Sequence, residues 1–486
     1  MKKKTALLLV FVTAAVFMIS ALSPFAANGG GIAGDVNTDG KVNNKDVVVL
    51  FRISSGGDPG TDLPDMTAAD CTGDGKINNK DVVTLFRAVS GSTDVRLYYG
   101  PKTETYDFEK FDEDLLDFIS KKTDENFMIS PLSFKYALGM LLAGAGGDTL
   151  IGLKDALGIA ELSELEDVIK DFTHFTEGFE ANYQAELERF RDEAGRGWIP
   201  EDTPEPYRAL RPANSVWKRD NIYKDFKEDY KTRLQMYDAE MRTFDTGHVI
   251  NDVNAWANEK TEGMIKDLLP DDYDVTNLAI VLMNALYFKD NWVTAFDGSD
   301  PFELDFTTAA GETVRKTFMK AEITCRYYKD DQTELVCVPM DGRVEMVFLL
   351  GSTEGAAQKI AEAKYTDVAV TVPMFETETA LNSGELCEFL AQRGAFDAFG
   401  NSADFSAMID WDISVSDIVQ KTKIKIDQYG VEAAAVTAIL MPDKAFDPGK
   451  TVKFTADRAF TYYIVTADSD WAENAGTVMF EGRLVK

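Results

Sequence analysis

Histidine and cysteine are scarce in this chain, and basic residues are outnumbered by acidic ones. Only two histidines, His174 and His248, occur among 486 residues, too few for a histidine-built metal site or proton relay. Four cysteines cannot build a disulfide scaffold in so long a chain, and none has the Cys-x-x-Cys spacing of structural zinc. The 50 basic and 82 acidic side chains give a net charge of −32. This argues against nucleic-acid binding, because phosphate neutralisation needs a basic face.

The familiar catalytic motifs are also missing. The sequence has no Gly-x-Ser-x-Gly elbow and no His-Glu-x-x-His pair. Gly449-Lys450-Thr451 ends like a phosphate-binding loop, but the upstream position that must be glycine is Lys444. No pair of carboxylates stands out among the 82 acids. We therefore predict that the protein is not an enzyme, and its length suggests two to four domains.

Residues 1–27 have the layout of a secretory signal. Three lysines precede an apolar run over residues 6–22, and small residues follow at Ala26 and Ala27. The run approaches the length that spans a bilayer, so an uncleaved anchor is the alternative. We predict cleavage and a secreted, extracellular chain without membrane attachment. The cysteines are expected to be free, largely buried thiols.

Two acidic segments near the N-terminus repeat each other. They begin at Asp35 and at Asp70, 35 residues apart. Each is a 12-residue loop with oxygen-bearing side chains at positions 1, 3, 5, 9 and 12, a glycine at position 6 for the sharp turn, and a backbone carbonyl at position 7. A single match could be a solvated acidic turn, but two at a fixed offset predict two Ca²⁺ ions. The predicted ligands are Asp35, Asn37, Asp39, Lys41, Asn43 and Asp46 in one loop, and Asp70, Thr72, Asp74, Lys76, Asn78 and Asp81 in the other.

An apolar helix is predicted after each loop, but no helix precedes it, and the last ligand is Asp rather than Glu. This pattern resembles a type I dockerin, the duplicated calcium module that docks enzymes onto cohesin domains of a cellulosomal scaffold. The resemblance implies a small all-α domain over residues 28–90 and a cohesin partner. It also implies that positions 10 and 11 of the loops select the cohesin, namely Asn44, Lys45, Asn79 and Lys80. Their identity in both copies would allow two orientations related by a half turn, although they could also be exposed polar residues that merely begin a helix.

A short linker is predicted over residues 91–107, and a large α+β domain follows over residues 108–486. Apolar spacing predicts a helix near residues 111–119 and a buried helix at 132–142, begun by Ser130 and Pro131. Residues 279–288 read as a central strand that is apolar on both faces, and 345–350 and 461–465 are further strands. Residues 180–206 are predicted to be an acidic helical insertion.

Residues 430–438 are small and nearly uncharged, with no apolar stripe for a core helix. This segment resembles the hinge of a serpin, Gly-x-Glu-Ala-Ala-Ala-x-Thr. The stretch from Asn284 to Lys289, with Trp292 and Phe296, is similar to the serpin pattern Asn-Ala-x-Tyr-Phe-Lys-Gly-x-Trp-x-x-Pro-Phe. Five further segments resemble other serpin motifs, in the order in which the family has them: residues 126–133, 250–263, 396–406, 415–421 and 454–460.

The resemblance implies a serpin fold, with helices around large mixed and antiparallel β-sheets and an exposed reactive loop. It also implies a suicide inhibitor of serine proteases, whose cleaved loop inserts into the main sheet and traps the protease as an acyl-enzyme. The protein is expected to be a monomer, and no cofactor is needed in this step. The implied hinge is Gly430, Val431, Glu432, Ala433, Ala434 and Ala435; the implied shutter is Ser130, Ser133, Asn284 and Gln420, where the family usually has His at the last position.

The reactive bond implied by the resemblance lies between Lys444 and Ala445, since the family's bait residue lies about 14 positions beyond the hinge glycine. Lys444 would suit a trypsin-like pocket, whereas a shift to a neighbouring bond would favour a subtilisin-like target. A non-inhibitory serpin with a binding or structural role is the alternative. Val431 is neither charged nor bulky and no proline lies in residues 432–438, which favours an inhibitor. A polysaccharide-degrading enzyme is suggested only by the dockerin.

Chelation of calcium should separate the two activities. Without the ions the six aspartates of the loops repel one another, and a module this small has little core to hold it folded. We expect a chelator to abolish cohesin binding and to leave protease inhibition intact, with both measured on the same sample. Equal loss of both activities would contradict the two-module interpretation.

Overall fold

The structure is a computed structural model of the 486-residue chain. It describes residues 32–61, 64–73, 75–91, 97, 106–200, 203, 205–276, 278–381, 383–400, 403–411, 413, 415–431, 451–467 and 476–486. The predicted signal and most of the predicted linker lie outside these residues. The chain divides into two compact units, residues 1–105 and 106–486.

Within its described residues the N-terminal unit is helical, with α1 (Asn44–Ser54), α2 (Met66–Ala69) and α3 (Asn79–Val89). Asn43 and Asn78 cap α1 and α3 in the same way, and Asp46 and Asp81 complete both capping boxes. The repeated sequence thus gives a repeated structure, and the predicted helices are confirmed. The short α2 was not predicted. A small core lies between the repeats, formed by Val36, Val49, Leu50, Ala69, Cys71 and Leu85.

Helices of the second unit include one that is completely buried. Their bounds are α4 (Phe111–Ser120), α5 (Pro131–Gly144), α6 (Gly147–Leu157), α7 (Leu162–Gly195), α8 (Glu228–Leu234), α9 (Val249–Lys260), α10 (Ala356–Glu362) and α11 (Ser383–Gln392). The Ser130 side chain caps α5 and Pro131 occupies its first turn, as predicted. Every residue of α5 is buried, because the helix contacts strands of both sheets. Over the described part of the chain, no helix is both long and apolar enough to cross a bilayer.

The predicted acidic insertion is part of a longer helix. We expected a helix over residues 180–206, but α7 begins at Leu162 and ends at Gly195. The expectation was wrong in extent because the apolar period that starts at Leu165 continues without a break through Phe179 to Leu187. The acidic residues occupy the outer face of one 34-residue helix.

Two β-sheets form the rest of the second unit. The strands are β1 (Phe127–Ile129), β2 (Ala209–Arg219), β3 (Ala239–Phe244), β4 (Ile280–Asn291), β5 (Phe302–Thr307), β6 (Thr313–Lys329), β7 (Thr333–Met340), β8 (Val344–Gly351), β9 (Lys364–Pro373), β10 (Phe375–Leu381), β11 (Val415–Ile426), β12 (Gly430–Val431), β13 (Val452–Thr455), β14 (Phe460–Thr466) and β15 (Val478–Leu484). The three strands predicted from apolar runs correspond to β4, β8 and β14. One sheet has nine strands in the order β1-β15-β14-β8-β7-β6-β9-β13, with β5 beside β6.

The six-stranded sheet has the order β10-β11-β12-β4-β2-β3 and is mixed. Its two central strands, β4 and β11, run parallel and pair only from Val415 opposite Ile280 to Val419 opposite Met283. Beyond that point no strand of the described chain lies between residues 284–289 of β4 and residues 420–425 of β11, although each is paired on its other side. At the far end, β12 sits between them. As far as the described residues extend, the sheet therefore contains a gap that is bounded by two paired regions.

The four cysteines are free thiols. The β6–β7 register places Arg326 opposite Cys337, so the side chains of Cys325 and Cys337 lie on opposite faces and cannot be bridged. Burial raises the pKa of the Cys325 thiol and of the Cys387 thiol to about 12 each, which keeps them protonated and unreactive.

Candidate functional site

The first two residues of the predicted hinge are already part of the six-stranded sheet. Gly430 lies opposite Asn291, and Val431 lies between Asp290 of β4 and Ile426 of β11. Glycine is required here, since an added Cβ would collide with the Asp290 carbonyl oxygen. The rest of the hinge, Glu432 to Ala435, and the predicted reactive bond between Lys444 and Ala445 lie outside the described residues.

The chain just before the hinge is fixed by backbone hydrogen bonds. The amide of Trp292 donates to the carbonyl of Tyr429 at 3.0 Å, and its indole Nε1 donates to the carbonyl of Asp427 at 2.9 Å. The amide of Phe296 donates to the carbonyl of Gln428 at 2.8 Å. Trp292 and Phe296 were predicted only as members of a motif, and these contacts were not predicted. Their hydrogen bonds to residues 427–429 fix the turn that places Gly430 in the sheet.

Three of the four predicted shutter residues meet in one buried network. Gln420 accepts from the Ser130 amide through Oε1 and donates to the Ser130 carbonyl through Nε2, both at 2.9 Å. Ser130 Oγ donates to the carbonyl of Met479 at 2.6 Å and accepts from the Ser133 amide at 3.1 Å. An amide side chain makes this double contact with one backbone unit because it carries both a donor and an acceptor. Gln420 follows Val419, the last β11 residue that pairs with β4, so it lies at the edge of the gap.

The fourth shutter residue, Asn284, has a different partner. Its Nδ2 donates to Asn214 Oδ1, and Asn214 Nδ2 in turn donates to the carbonyl of Tyr237 at 2.6 Å. The Oδ1 atom of Asn284 is buried without a hydrogen-bond partner among the described residues. Asn284 follows Met283, the last β4 residue paired with β11. The Asn284 side chain thus bonds to β2, on the side of β4 away from β11, and its partner Asn214 was not predicted.

The first acidic loop folds around its own carboxylates. Asp35 is buried and accepts from the amides of Asp39 at 3.1 Å and Gly40 at 2.9 Å. Asp46 is fully buried and accepts from the amides of Asn37 at 3.1 Å and Asn43 at 2.9 Å. Gly40 has φ of 80°, the left-handed conformation that the sharp turn requires.

The second loop repeats this arrangement. Asp70 accepts from the Gly75 amide, and Asp81 accepts from the amides of Thr72 and Asn78, each at 2.9 Å. The Thr72 hydroxyl also donates to Asp81 at 2.8 Å. Its counterpart in the first loop, Asn37, has no hydroxyl to donate. The fifth-position residue, Asp74, lies outside the described residues.

The loops have the donor chemistry of a calcium site, although the described residues contain no preassembled group of three or more metal-ligating His, Cys, Asp or Glu side chains. Burial raises the pKa of Asp46, and the negative charges of Asp35 and Asp39 add to it against two amide hydrogen bonds. A bound cation would offset the cost of burying the Asp46 carboxylate and would reduce its repulsion from Asp35 and Asp39. The residues therefore fit Ca²⁺.

The predicted cohesin-selecting residues adjoin an apolar surface. Asn44, Lys45, Asn79 and Lys80 are exposed at the starts of α1 and α3. One and two turns further along, Val48 and Phe51 of α1 are 49% and 55% exposed. Their counterparts Val83 and Phe86 of α3 are 56% and 54% exposed. Exposed apolar residues on a small module indicate a protein-binding surface. These four residues were not predicted, although their spacing from Asn44 and Asn79 places them on the same helix face.

Comparisons with known proteins agree with both modules. The family model described as Serpin (serine protease inhibitor) matches residues 108–486, and that of the Dockerin type I domain matches residues 33–90. Serpin B6 of Pongo abelii is 26% identical over 376 residues, which cover 72% of this chain and 92% of its own length. The leukocyte elastase inhibitor of Bos taurus is 29% identical over 391 residues, which cover 74% of this chain and 92% of its own length.

Solved structures share the fold. Serpin48 of the insect Tenebrio molitor has a TM-score of 0.58 at 23% identity, covering 78% of this chain and 96% of its own. Human thyroxine-binding globulin, solved with thyroxine, has a TM-score of 0.62 at 19% identity, covering 78% and 97%. Because the family model matches residues 108–486, the chain belongs to the serpin family, whose members are mostly protease inhibitors, and it carries a type I dockerin domain ahead of its serpin domain.

Proposed function

We propose that this protein is a secreted suicide inhibitor of serine proteases that is docked, through its dockerin, on a cohesin domain of a cellulosome-type complex. The observation that carries the inhibitory part is the gap between β4 and β11, with Gly430 and Val431 seated at its entrance. A strand that continues from Val431 would complete the sheet. This is the chemistry of strand addition, in which backbone hydrogen bonds provide the driving force.

The trapping step begins with attack on the bond between Lys444 and Ala445. The hydroxyl oxygen of the protease's catalytic serine bonds to the Lys444 carbonyl carbon, the amide bond breaks, and the proton passes to the new amino group of Ala445. The released loop extends from Val431 antiparallel to β4. In that register Ala433 comes opposite Phe288 and Ala435 opposite Leu286, both of which belong to the buried core. Small side chains fit there without displacing it.

The shutter residues lie where β4 and β11 part. Opening the sheet moves β11 relative to α5, so Gln420 must give up or carry along its two contacts with Ser130. We assign Ser130, Ser133, Asn284 and Gln420 to the control of this opening. The target class, trypsin-like or subtilisin-like, depends on whether Lys444 is the residue that enters the protease pocket.

The dockerin holds two Ca²⁺ ions and presents two similar faces to cohesin. Each face consists of the two polar residues at the helix start and the two exposed apolar residues behind them. Because the two faces are almost identical, either can occupy the cohesin. Secretion follows from the N-terminal signal and from the extracellular setting of a dockerin.

A non-inhibitory role as a binding or structural component of the same complex is the second candidate. It is supported by the likeness to thyroxine-binding globulin, which shares the fold and was solved as a complex with thyroxine. Mixing the protein with a panel of serine proteases distinguishes the two, because only an inhibitor gives complexes that survive SDS.

Two substitutions separate the insertion step from target choice. Val431 is buried between β4 and β11, so Val431→Arg places an unpaired charge in the core, at a cost above about 1.4 kcal/mol. We expect the variant to be cleaved as a substrate, with roughly a tenfold or greater rise in the inhibitor consumed per protease trapped. Lys444→Ala should change which protease is trapped and leave trapping intact. Full-stoichiometry trapping by Val431→Arg would show that insertion is not the mechanism.

Cleavage of the loop should raise Tm of the serpin domain. About ten new hydrogen bonds would form in the sheet, and each contributes about 1 kcal/mol. In a domain of this size 1 kcal/mol changes Tm by about 2 °C, so we expect a rise of roughly 10–20 °C. Calorimetry of intact and nicked protein measures it. The nicked Val431→Arg variant is the matched control and should show little or no rise; an unchanged Tm in the nicked wild type would mean that the loop stays outside the sheet.

Charge reversal on the apolar faces tests the dockerin. Phe51→Asp or Phe86→Asp alone should weaken cohesin binding only about twofold, since the other face remains available. The double variant should lose more than about thirtyfold, because both apolar anchors are gone. Thr67→Asp, an exposed site on α2, is the charged control. Equal large losses for one single variant and the double variant would rule out two equivalent faces.

A further inference from the structure

The register at the entrance of the gap determines which residues would flank the next residue of an added strand. Val431, the last described residue of the hinge, lies between Asp290 of β4 and Ile426 of β11. Asp290 is held in place, because its two carboxyl oxygens accept from the amides of Gly342 and Asn291, both at 2.9 Å. The strand against which the hinge pairs is therefore fixed at this point.

A buried cation also acts on this end of β4. Arg208, just before β2, brings its positive charge near the Asp290 carboxyl, and its Nη2 donates to Asn182 and Glu186 of α7. The end of β4 is thus tied to α7 as well as to the turn between β7 and β8. These contacts leave little freedom for the register of the hinge to change.

Two lysines flank the position that follows Val431. The hinge runs antiparallel to both β4 and β11, so a strand that continues it places residue 432 between Lys289 on one side and Lys425 on the other. That residue is Glu432, which lies outside the described residues. Opposite residues of adjacent strands have Cβ atoms about 5 Å apart, within reach of a lysine and a glutamate side chain.

The two lysines lie on the same face of the sheet. Their neighbours Phe288 and Ile426 belong to the main core on the other face, as does Val431. Because successive side chains of a strand point to opposite faces, Glu432 would lie on the face of the lysines.

On the β11 side, this face carries more lysines than carboxylates. Lys421, Lys423 and Lys425 occupy alternate positions of β11, and the paired strand β10 offers two carboxylates, of Glu376 and Glu378. Lys421 binds Glu378 at 2.8 Å, and Lys423 binds Glu376 at 3.1 Å and Glu378 at 3.4 Å. Glu376 is opposite Lys425 in the ladder but turns to Lys423, so Lys425 makes no ion pair in the described part of the chain. One positive charge is left over beside the gap.

Lys289, on the β4 side, is likewise without a carboxylate partner among residues that the structure describes. Its Nζ lies 5.0 Å from the centre of the Tyr207 ring. The Tyr207 hydroxyl donates to Glu262, and the other oxygen of Glu262 accepts from Arg211. That carboxylate is therefore already engaged. Since Lys289 is half-buried and Lys425 is exposed, a new carboxylate can approach both.

We propose that Lys289 and Lys425 form a carboxylate-binding pair that receives Glu432 when the cleaved loop inserts, and that they are positioning residues for insertion. The proposal rests on the inhibitory function proposed above. Glu432 is the one charged residue in residues 430–438, so it is the residue of the hinge whose entry between two strands needs a partner. Two ammonium groups supply that partner as charge-assisted hydrogen bonds.

The pair acts at the start of insertion. Glu432 is the first residue to be added after Val431, so an attraction there favours the growing strand over the free loop. It also specifies register, because a slip of one residue would turn the carboxylate towards the apolar core. Slower insertion leaves more time for hydrolysis of the acyl-enzyme. The measurable quantity is the partition ratio, the number of inhibitor molecules cleaved as substrate for each protease trapped.

The test is a cycle of variants, measured with a protease from the panel for which the wild-type partition ratio is measurable. Lys289→Met with Lys425→Met keeps most of the side-chain length and removes both charges. We expect the ratio to rise about threefold, the size of effect of two opposite-charge pairs at a partly exposed site. Glu432→Gln should give a similar rise. All three substitutions together should give no further rise, because they remove the same interaction.

Two further variants separate charge from structure. Lys289→Arg with Lys425→Arg keeps both charges and should hold the ratio near the wild-type value. Lys364→Met, at an exposed lysine that begins β9 in the other sheet, is the matched control and should leave the ratio unchanged. Tm of the uncleaved protein should be the same in every variant to within about 2 °C, since the pair is formed only after insertion.

An unchanged partition ratio in the double methionine variant would overturn the proposal, as would effects of the lysine and Glu432 substitutions that add. If Lys289→Met does not fold, Lys425→Met, which replaces an exposed residue, takes its place in the cycle with a smaller expected rise of about 1.5-fold. Absence of trapping in the wild type would instead overturn the proposed function. Trapping by the wild type with a flat cycle would leave that function standing and remove only the role of the lysine pair.

Discussion

Incomplete pairing between β4 and β11 is the constraint on which the rest of the molecule depends. The two strands are joined at one end by direct hydrogen bonds and at the other by the two residues of β12. Between these ends, no strand of the described residues lies between residues 284–289 and residues 420–425. Backbone groups of a sheet interior without strand partners are costly, and an additional strand satisfies them. Under the proposed function, this sheet has a lower-energy alternative with one more strand, and the protein acts by passing from the first arrangement to the second.

Under the proposed function, the contacts around the gap would control when that passage occurs. Gln420 and Ser130 lock β11 to the start of α5 at one end of the gap. Trp292, Phe296 and Asp290 hold the other end, and the acidic half of α7 reaches this end through Arg208. Polar contacts are suited to this control because they are specific in geometry and exchange at small net cost, whereas the apolar core on either side stays packed.

Much of the fold and of the candidate site was predictable because its signals are local. The capping residues Asn43 and Asn78 lie within three residues of the carboxylates they pair with, and Ser130 and Pro131 begin a helix by rules that involve one turn. The extent of α7 was predicted wrongly, because acidic residues do not end a helix whose apolar period continues. Asn214 and the setting of Asp290 were missed, because each depends on residues that are distant in sequence. Phe51 and Phe86 were missed although helical spacing alone puts them on the same face as Asn44 and Asn79.

By itself the sequence determined the two modules, the duplicated acidic loops, the helix starts and the small-residue segment after Gly430, since these depend on residue types at short, fixed spacing. The tertiary structure alone decided where β4 and β11 stop pairing and that Gly430 and Val431 lie between them. It also decided that Gln420 forms hydrogen bonds with Ser130, which is 290 residues away in sequence. It also brought Asp290 under the influence of a cation held by α7. Strand register and burial are properties of the whole packed chain, and a carboxyl group acquires a raised pKa only where that packing removes water from it.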